Sequence, residues 1–429
     1  MIASLIVIFI IGYAAIALEH PIKINKTAPA LLIGSLMWAI WAVADHLEIV
    51  HIEHQLEESL AEISSILFFL LGAMTIVELI DAHQGFKIIT NRIKTKNSRK
   101  LLWAISIITF FLSALLDNLT TSIVMVSLLR KLVHDKKERM LFVGMVVIAA
   151  NAGGAWSPIG DVTTTMLWIN KQISSANIIK TLIVPSLVCM IVPLVVLSLS
   201  MKGDVQRADY DYKKAEEEEK VKGSLLMLLT GVGALIFVPI FKTQTHLPPY
   251  MGMLFGLSVV WILSELLHID KTEEEKKPYS ALHALTKIDV SSVLFFLGIL
   301  LAISTLQGTG VLRDLAAWMD ETIGNKDMIS ISIGLLSAIV DNVPIVAATQ
   351  KMYSITDFPM DSKLWEFIAY AAGTGGSCLI IGSAAGVAVM GMEKIDFIWY
   401  LKKISWLALI GYLAGAAVYI MIQPFFAVH

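Results

Sequence analysis

Charge is scarce in this sequence. Asp, Glu, Lys and Arg together make up 16% of its 429 residues, against about 25% in an average soluble domain. So few charges cannot cover the water-facing surface of a chain this long, which excludes an ordinary soluble globule. Cysteine is nearly absent. Cys189 and Cys378 both sit in apolar segments, which excludes a disulfide framework. The net charge of −3 leaves no basic field, so no nucleic-acid partner is expected. Nothing in the Cys, His and acid pattern resembles a transition-metal site, and no cofactor is implied. His51 and His54 stand in a polar stretch and read as a solvated pair.

What is abundant is apolar sequence, 56% of the chain, with runs near twenty residues at 2–18, 178–200, 225–241, 251–267 and 404–422. Runs of that length cross a hydrocarbon layer of about 30 Å as helix. An all-α membrane protein is expected. The first run lacks a basic leader and a clear cleavage site, and reads as a retained span.

Lys and Arg favour the cytoplasmic side of a membrane. Lys23 and Lys26 therefore place the first loop inside. The stretch 45–59 is acidic, has no Lys or Arg and reads as an outside loop; with His46 it offers a histidine cluster that titrates near neutral pH. Residues 81–100 return inside, with 85–96 as an amphipathic surface helix. The next stretch, about 101–130, is interrupted at Asp117 and Asn118 and is basic on both flanks. It reads as a re-entrant hairpin with arms of roughly 12–16 residues, about 18–24 Å and too short to span. Two short spans joined by a turn are the alternative. Residues 140–170 then cross outward as a broken helix. The segment 201–222, with its acidic run, reads as a cytoplasmic linker. Ten crossings and two hairpins are expected over the whole chain, with both termini outside a cell inner (plasma) membrane. The implied units are N-terminal scaffold spans in 1–60, a first repeat in 61–200, further scaffold spans in 223–287 and a second repeat in 288–429.

The repeat is legible in three ordered matches. Residues 65–72 resemble 292–298. Ser-x-x-x-Asp-Asn occurs at 113–118 and again at 337–342. Asn-Ala-Gly-Gly-Ala at 151–155, with Gly160 following, resembles Gly-Thr-Gly-Gly-Ser at 373–377, with Gly382 following. Loop charges orient the opening spans of the two repeats oppositely, so the repeats are expected to be inverted. A second hairpin is then expected at about 328–353 and a second broken helix at 363–392. Inverted repeats with broken helices are the architecture of secondary transporters, with the site near the midplane.

Broken backbone survives in hydrocarbon only where protein buries it or a wet cavity receives it. Gly153, Gly154, Gly375 and Gly376 permit the breaks, and Pro158 and Pro344 remove backbone donors. The side chains at the breaks are small oxygen donors: Asn118, Thr120, Thr121, Asn151, Ser157, Thr163, Thr164, Asn342, Thr374, Ser377 and Ser383. Oxygen ligands suit hard cations. Asp117, Asp161 and Asp341 stand among them, and no Lys or Arg falls within the breaks. Three acids without a base repel an anion and admit a cation. A carboxylate held in low dielectric takes either a proton or a cation, because its bare charge is too costly there. The plainer alternative is that one or two of these acids only cap helix N-termini. Glu62, Glu78, Glu265 and Glu366 fall toward span ends, and Glu78 is the best of them for a proton path.

These motifs resemble those of the NhaD-type sodium/proton antiporters of the ion transporter superfamily. The similarity runs from about residue 28 to 420. The longest shared motif is Asn-Ala-Gly-Gly-Ala-Trp-Ser-Pro-Ile-Gly-Asp-Val-Thr-Thr at 151–164. The resemblance implies exchange of Na⁺, often also Li⁺, for H⁺, and a homodimer with a fixed scaffold and a moving transport domain. It implies site roles for Ser113, Asp117, Asn118, Asn151, Asp161, Thr163, Thr164, Ser337, Asp341, Asn342 and Ser377, with Na⁺ expected at Asp117, Asn118, Asn151, Asp161 and Asn342. Dicarboxylate carriers of the superfamily have Ser-Asn-Thr at both hairpin tips; Asp-Asn here favours a small cation. Ser383 stands where the first repeat has Asp161, so the half-sites differ in charge. A Na⁺-coupled carboxylate or oxyanion carrier is the second reading, opposed by the missing cationic anchor. An intramembrane aspartyl protease, echoed by Ile159-Gly160-Asp161, leaves the paired Asp-Asn motifs unexplained. No enzyme activity is expected.

Overall fold

A computed structural model describes residues 1–45, 48–90, 93, 95–201, 203–205, 221–339 and 341–426. Among them helix is the only extended regular structure, and one isolated bridge joins Asn97 to Asp204. The principal helices are α1 (Ile2–Ala17), α2 (Thr27–Ala44), α3 (Ile49–Ala82), α4 (Ser98–Leu116), α5 (Asn118–Leu132), α6 (Lys136–Ala155), α7 (Val162–Ile169), α8 (Ser175–Ser200) and α9 (Ser224–Thr245). They continue with α10 (Pro249–Leu267), α11 (Val290–Gly308), α12 (Val311–Thr322), α13 (Lys326–Leu336), α14 (Asn342–Met352), α15 (Lys363–Gly375), α16 (Ala384–Glu393) and α17 (Trp406–Ile422). Among the described residues nine helices are long and apolar enough to cross a membrane. The chain is a multi-pass membrane protein.

Several boundaries differ from those expected. The stretch 45–59 is not a loop. α3 begins at Ile49 and runs 34 residues, about 51 Å, well past a hydrocarbon layer. A helix satisfies its own backbone, so nothing stops it at the membrane edge when the residues beyond are good helix formers such as Glu, Gln and Leu. His54 and Glu58 pair on that exposed extension at 3.2 Å; His46 lies outside the described residues. Of the surface helix expected at 85–96, the described residues form Gly85–Thr90, with 91, 92 and 94 outside them, and Phe86 is buried in the core. α4 has 19 residues, longer than the arm expected there. Residues 270–287, whose lysines read as an inside loop, fold into the short helices Glu273–Lys276 and Ala281–Lys287. Most of the acidic linker, 206–220, lies outside the described residues.

Two packing groups form. In one, α2 lies along α11, and α3 packs on α10, which packs on α9. The crossing of α2 and α11 is close because Gly34 meets Gly298. A Cβ on either would overlap the other helix's backbone, the small-residue contact by which membrane helices associate. In the other group, α6 is enclosed by α4, α5, α8 and α15, and α8 packs along α17. α6 is almost wholly buried from Val143 to Ala155.

α3 and α10 are tied at one end by histidines. His83 and His268 follow these helices directly, both are buried, and their Nε2 atoms lie 3.2 Å apart. His83 Nδ1 is 2.8 Å from the Leu79 carbonyl oxygen, which can only accept, so Nδ1 carries the proton and Nε2 accepts from His268 Nε2. Burial lowers both rings below the ordinary histidine range, His268 to about 4, with His83 and Lys271 adding to the effect on His268. A second proton would set two N–H groups against each other.

Two expectations follow. The unfolded chain takes up protons near pH 6.5 while folded His268 resists until about 4. Stability from this contact is therefore complete above that range and falls as pH drops through it; thermal midpoints against pH will show the slope in wild type and a shallower one in His268→Gln. For packing, Gly34→Val will lose the monodisperse detergent-solubilised species on size exclusion, whereas Gly233→Ala, with nothing within 4 Å of an added Cβ, will keep it.

Candidate functional site

Short-range contacts fix where each break sits. Ser98 at the start of α4 donates to Glu138 at the start of α6, at 2.7 Å. Arg130 near the end of α5 and Arg139 in α6 both pair with Glu393, at 2.6 and 2.9 Å. Both ends of the α4–α5 pair therefore lie at the start of α6. Its tip, Asp117 and Asn118, lies beside Asn151, roughly 20 Å farther along α6. The α13–α14 pair is built alike. Lys326 at its start and Tyr353 at its end both bind Asp320, while Asp327 pairs with Lys363 at the start of α15 at 2.7 Å. The broken helices run oppositely. α6 starts beside Glu393, the last residue of α16, and the chain after α7 meets Asp361, just before α15, where Ser174 N–H donates to its carboxylate at 2.6 Å.

The matching motifs make matching contacts. Ser113 Oγ donates to Ala150 O at 2.7 Å, and Ser337 Oγ to Ala372 O at 3.2 Å. A Cβ on Gly153 would overlap Phe110 O, and one on Gly375 would overlap Gly334 O. These glycines let each hairpin arm lie against a broken helix at backbone contact. Gly160 packs on Ser113 and Ala114, and Gly382 on Ala338. Asp161 caps α7 through Thr163 N at 2.9 Å, and Ser383 caps α16 through Gly386 N at 3.2 Å. Asp117 caps α5 through Thr120 N at 2.8 Å, and Asp341 caps α14 through Val343 N. All three acids are caps, but capping is not all they do.

The centre of the site is the Asp161 carboxylate, 1% exposed. Its Oδ2 accepts from Asn118 Nδ2 at 2.6 Å and from Asn342 Nδ2 at 3.4 Å, so residues from both hairpin tips meet on one oxygen. Its Oδ1 accepts from Thr163 N and Thr163 Oγ1. Asn118 Nδ2 also donates to Asn151 Oδ1 at 3.0 Å, and Asn151 Nδ2 donates to Ser377 Oγ and Ser383 Oγ at 2.9 and 3.0 Å. The amide oxygens of Asn118 and Asn342 accept no hydrogen bond among the described residues. Thr121 Oγ1 and Thr164 Oγ1 are buried without partners there. Buried polar atoms ordinarily have partners, and these two hydroxyls have none among the described residues.

Asp117 lies one residue from Asn118 with φ +81 and ψ 159, a region side chains seldom adopt, at a cost of about 1–3 kcal/mol. Its carboxylate is held by Thr120 N and Thr120 Oγ1, both at 2.8 Å. The remaining candidates serve the backbone. Ser157 Oγ donates to Ala114 O, a carbonyl freed where α4 ends, and Thr374 Oγ1 donates to Tyr370 O in its own helix. Pro158 gives its carbonyl to Thr165 Oγ1, and Pro344 stands in the first turn of α14, where no backbone N–H is needed. Elsewhere, Glu78 is half-buried in α3, Glu62 pairs with Lys351, and Glu366 is buried between Asn177 and Tyr419.

Sequence reasoning missed two lysines. Lys26, from the segment before α2, pairs with Asp341 Oδ2 at 3.1 Å. The expectation that the acids have no cationic neighbour is therefore corrected: the neighbour comes from 315 residues away in sequence. Lys242 of α9 donates to Trp168 O at 2.6 Å, capping the C-terminal end of α7. Neither lysine is near a motif, so no local signal marked them. A cavity of about 60 Å³ reaches Asp117, Asn118 and Thr120 past Phe69, Met253 and Phe296, with Lys26 on its wall. A larger polar one of about 510 Å³ lies at the far end of α14, lined by Glu62, Asn170, Arg313, Gln350 and Lys351.

Four half-helices pointing their N-termini at one buried polar cluster, inside a multi-pass helical protein, define a membrane transporter. The model of the citrate transporter family, CitMHS, matches residues 6–365, and the chain belongs to that family. It is 50% identical to "Sodium/proton antiporter 1" of Arabidopsis thaliana over 421 residues, 98% of this chain and 72% of the relative. It is 48% identical to "Sodium/proton antiporter 2" of the same plant, over 97% of this chain and 99% of the relative. It is 30% identical to the "Na(+)/H(+) antiporter NhaD" of Vibrio cholerae, over 97% and 91%. The resemblance to NhaD-type antiporters read from the motifs is borne out along nearly the whole chain.

Asn151 joins the hairpin tip at Asn118 to the second broken helix. Asn151→Ala is expected to lower unfolding stability by about 2–3 kcal/mol, because it strands buried partners on both sides. Thr374→Val, which removes a hydroxyl bonded to the Tyr370 carbonyl of its own helix, is expected to cost less than about 1 kcal/mol. Denaturant unfolding in detergent compares the two.

Proposed function

We propose that this protein exchanges Na⁺, and also Li⁺, for H⁺ across a cell inner (plasma) membrane by alternating access, with cation and proton competing for Asp161 and Asp117. The observation that carries the reading is the Asp161 carboxylate. It is buried, faces amides from both hairpin tips, and has no cationic partner among the described residues. Such a charge needs compensation, by a proton or by a small cation with oxygen ligands. The ligands we assign are Asp161, Asp117, the amide oxygens of Asn118, Asn151 and Asn342, and the hydroxyls of Thr121 and Thr164. The names of the relatives support the same substrates.

In this reading the α4–α5 and α13–α14 pairs are re-entrant hairpins, and the opposed broken helices belong to inverted repeats. The contacts supporting it are the closed ends of both pairs and the antiparallel course of α6 and α15. The hairpins, broken helices, α8 and α17 form the transport domain. Residues 1–60 and 223–287, with α3 and α11, form the scaffold, which dimerises with a second copy.

A carboxylate carrier is the second reading. Lys26 and the family's description as citrate transporters favour it. The charge balance opposes it. Lys26 is already paired with Asp341, and three of the four helix N-termini are occupied by the chain's own carboxylates. An incoming anion meets Asp117 and Asp161 with no free base beside them.

Proteoliposomes carrying a trapped pH dye decide between them. Na⁺ and Li⁺ gradients should drive opposite proton movement, K⁺ should not, and Asp161→Asn or Asp117→Asn should lose at least about 90% of the rate, the loss expected when a group required for the step is removed. Labelled citrate uptake with no cation-driven pH change would replace this reading with the second.

A further inference from the structure

The two hairpin tips carry the same Asp-Asn pair but not the same charge. The Asp117 carboxylate accepts from the Thr120 N–H and hydroxyl, whereas Asp341 holds an ammonium. Lys26 Nζ lies 3.1 Å from Asp341 Oδ2 and 4.3 Å above the Phe295 ring centroid. The ring's negative face and the carboxylate bind the cation together. The backbone carrying Lys26 is fixed to α11. Thr27 Oγ1 bonds Ser291 at 2.8 Å, and Ser291 Oγ bonds Asn25 at 3.1 Å. Lys26 therefore reaches from the start of α2 to the α13–α14 tip on a short tether.

Its surroundings are hollow. One cavity of about 50 Å³ is lined by Tyr13 of α1, Glu19, Lys26 and Asp341, and Lys26 also lines the cavity at Asp117. The titratable groups facing the ammonium are thus Asp341, Glu19, Tyr13 and, across the larger cavity, Asp117. The tether, the ring and the carboxylate hold a positive charge within the polar site at a position equivalent to the one Asp117 leaves open.

We infer that Lys26 is a positioning residue, a tethered cation that occupies Asp341 and thereby confines exchange of Na⁺ and H⁺ to Asp117 and Asp161. This rests on the antiport reading. With Asp341 neutralised from within, the transported ion answers to two carboxylates, not three. Movement of the α13–α14 tip requires the pair to part, with Glu19 as the nearest alternative acid on the same cavity.

Two measurements on the full-length protein test this. The first needs no transport: acetylation of Lys26 by a water-soluble reagent, followed by mass spectrometry. The paired amine should react slowly in wild type and several-fold faster in Asp341→Asn; equal rates would overturn the pairing. The second is the Na⁺ KM in proteoliposomes. Asp341→Asn leaves Lys26 unpaired beside the site and should raise KM about tenfold, with a smaller change in maximal rate. The double variant Lys26→Gln/Asp341→Asn should return KM to within about threefold of wild type, and Lys26→Arg should stay close to wild type. A double variant as poor as Asp341→Asn alone would overturn the inference, because Asp341 would then be needed for itself. A wild-type protein that moves no protons with Na⁺ would sink the antiport reading, and the role given to Lys26 with it, while the labelling would still report the ion pair.

Discussion

Every feature of the site follows from one constraint. Backbone that leaves helical geometry inside a membrane protein must find other partners, because hydrocarbon supplies none. Here four such breaks are brought to one place, and each is closed by a side chain of the chain itself: Asp117, Asp161, Asp341 and Ser383. The positive ends of four half-helices then face each other, a repulsive arrangement unless negative charge lies between them. Three carboxylates supply that charge. Lys26 pairs with one of them, Asp341, and in the function proposed above Asp117 and Asp161 are the two left for a proton or an alkali ion.

The repeats share contacts and divide the chemistry. Ser113 and Ser337, Gly153 and Gly375, and Gly160 and Gly382 do equivalent packing. Those positions hold the hairpins against the broken helices, and nothing in them favours one ion over another. The differences lie in what faces inward. Asn151 has Gly373 as its counterpart, Asp161 has Ser383, and the Asp341 tip has Lys26 while the Asp117 tip has none. Asn151 uses the difference directly, since its amide spans to Ser377 and Ser383 of the other repeat. The proposed ion site therefore draws mainly on the first repeat, with the second contributing Asn342 and support.

Much of this was legible in the sequence, for physical reasons that differ from part to part. Long apolar runs revealed the spans because hydrocarbon thickness sets a length. Asp-Asn and Gly-Gly inside such runs exposed the breaks because nothing else makes polar and flexible residues tolerable there. The helix beyond the membrane, from Ile49 onward, was not legible as helix. Loop charge reports the side of the membrane and says nothing about backbone conformation. Lys26 was not legible either. Its role arises from a contact 315 residues distant in sequence, and a lysine beside a span end reads first as a topology signal. Which hydroxyls are bonded to backbone was also out of reach, since Ser157 and Thr374 look like Thr121 and Thr164 until their partners are known.

The central claim is that an alkali ion and a proton cannot hold the Asp161 carboxylate together. Its most direct test is proton release on binding. Na⁺ added to the purified protein in weakly buffered detergent solution near neutral pH should acidify the medium in a saturable way, and Asp161→Asn should reduce the release. Saturable Na⁺ binding with no proton release at any pH would contradict the account.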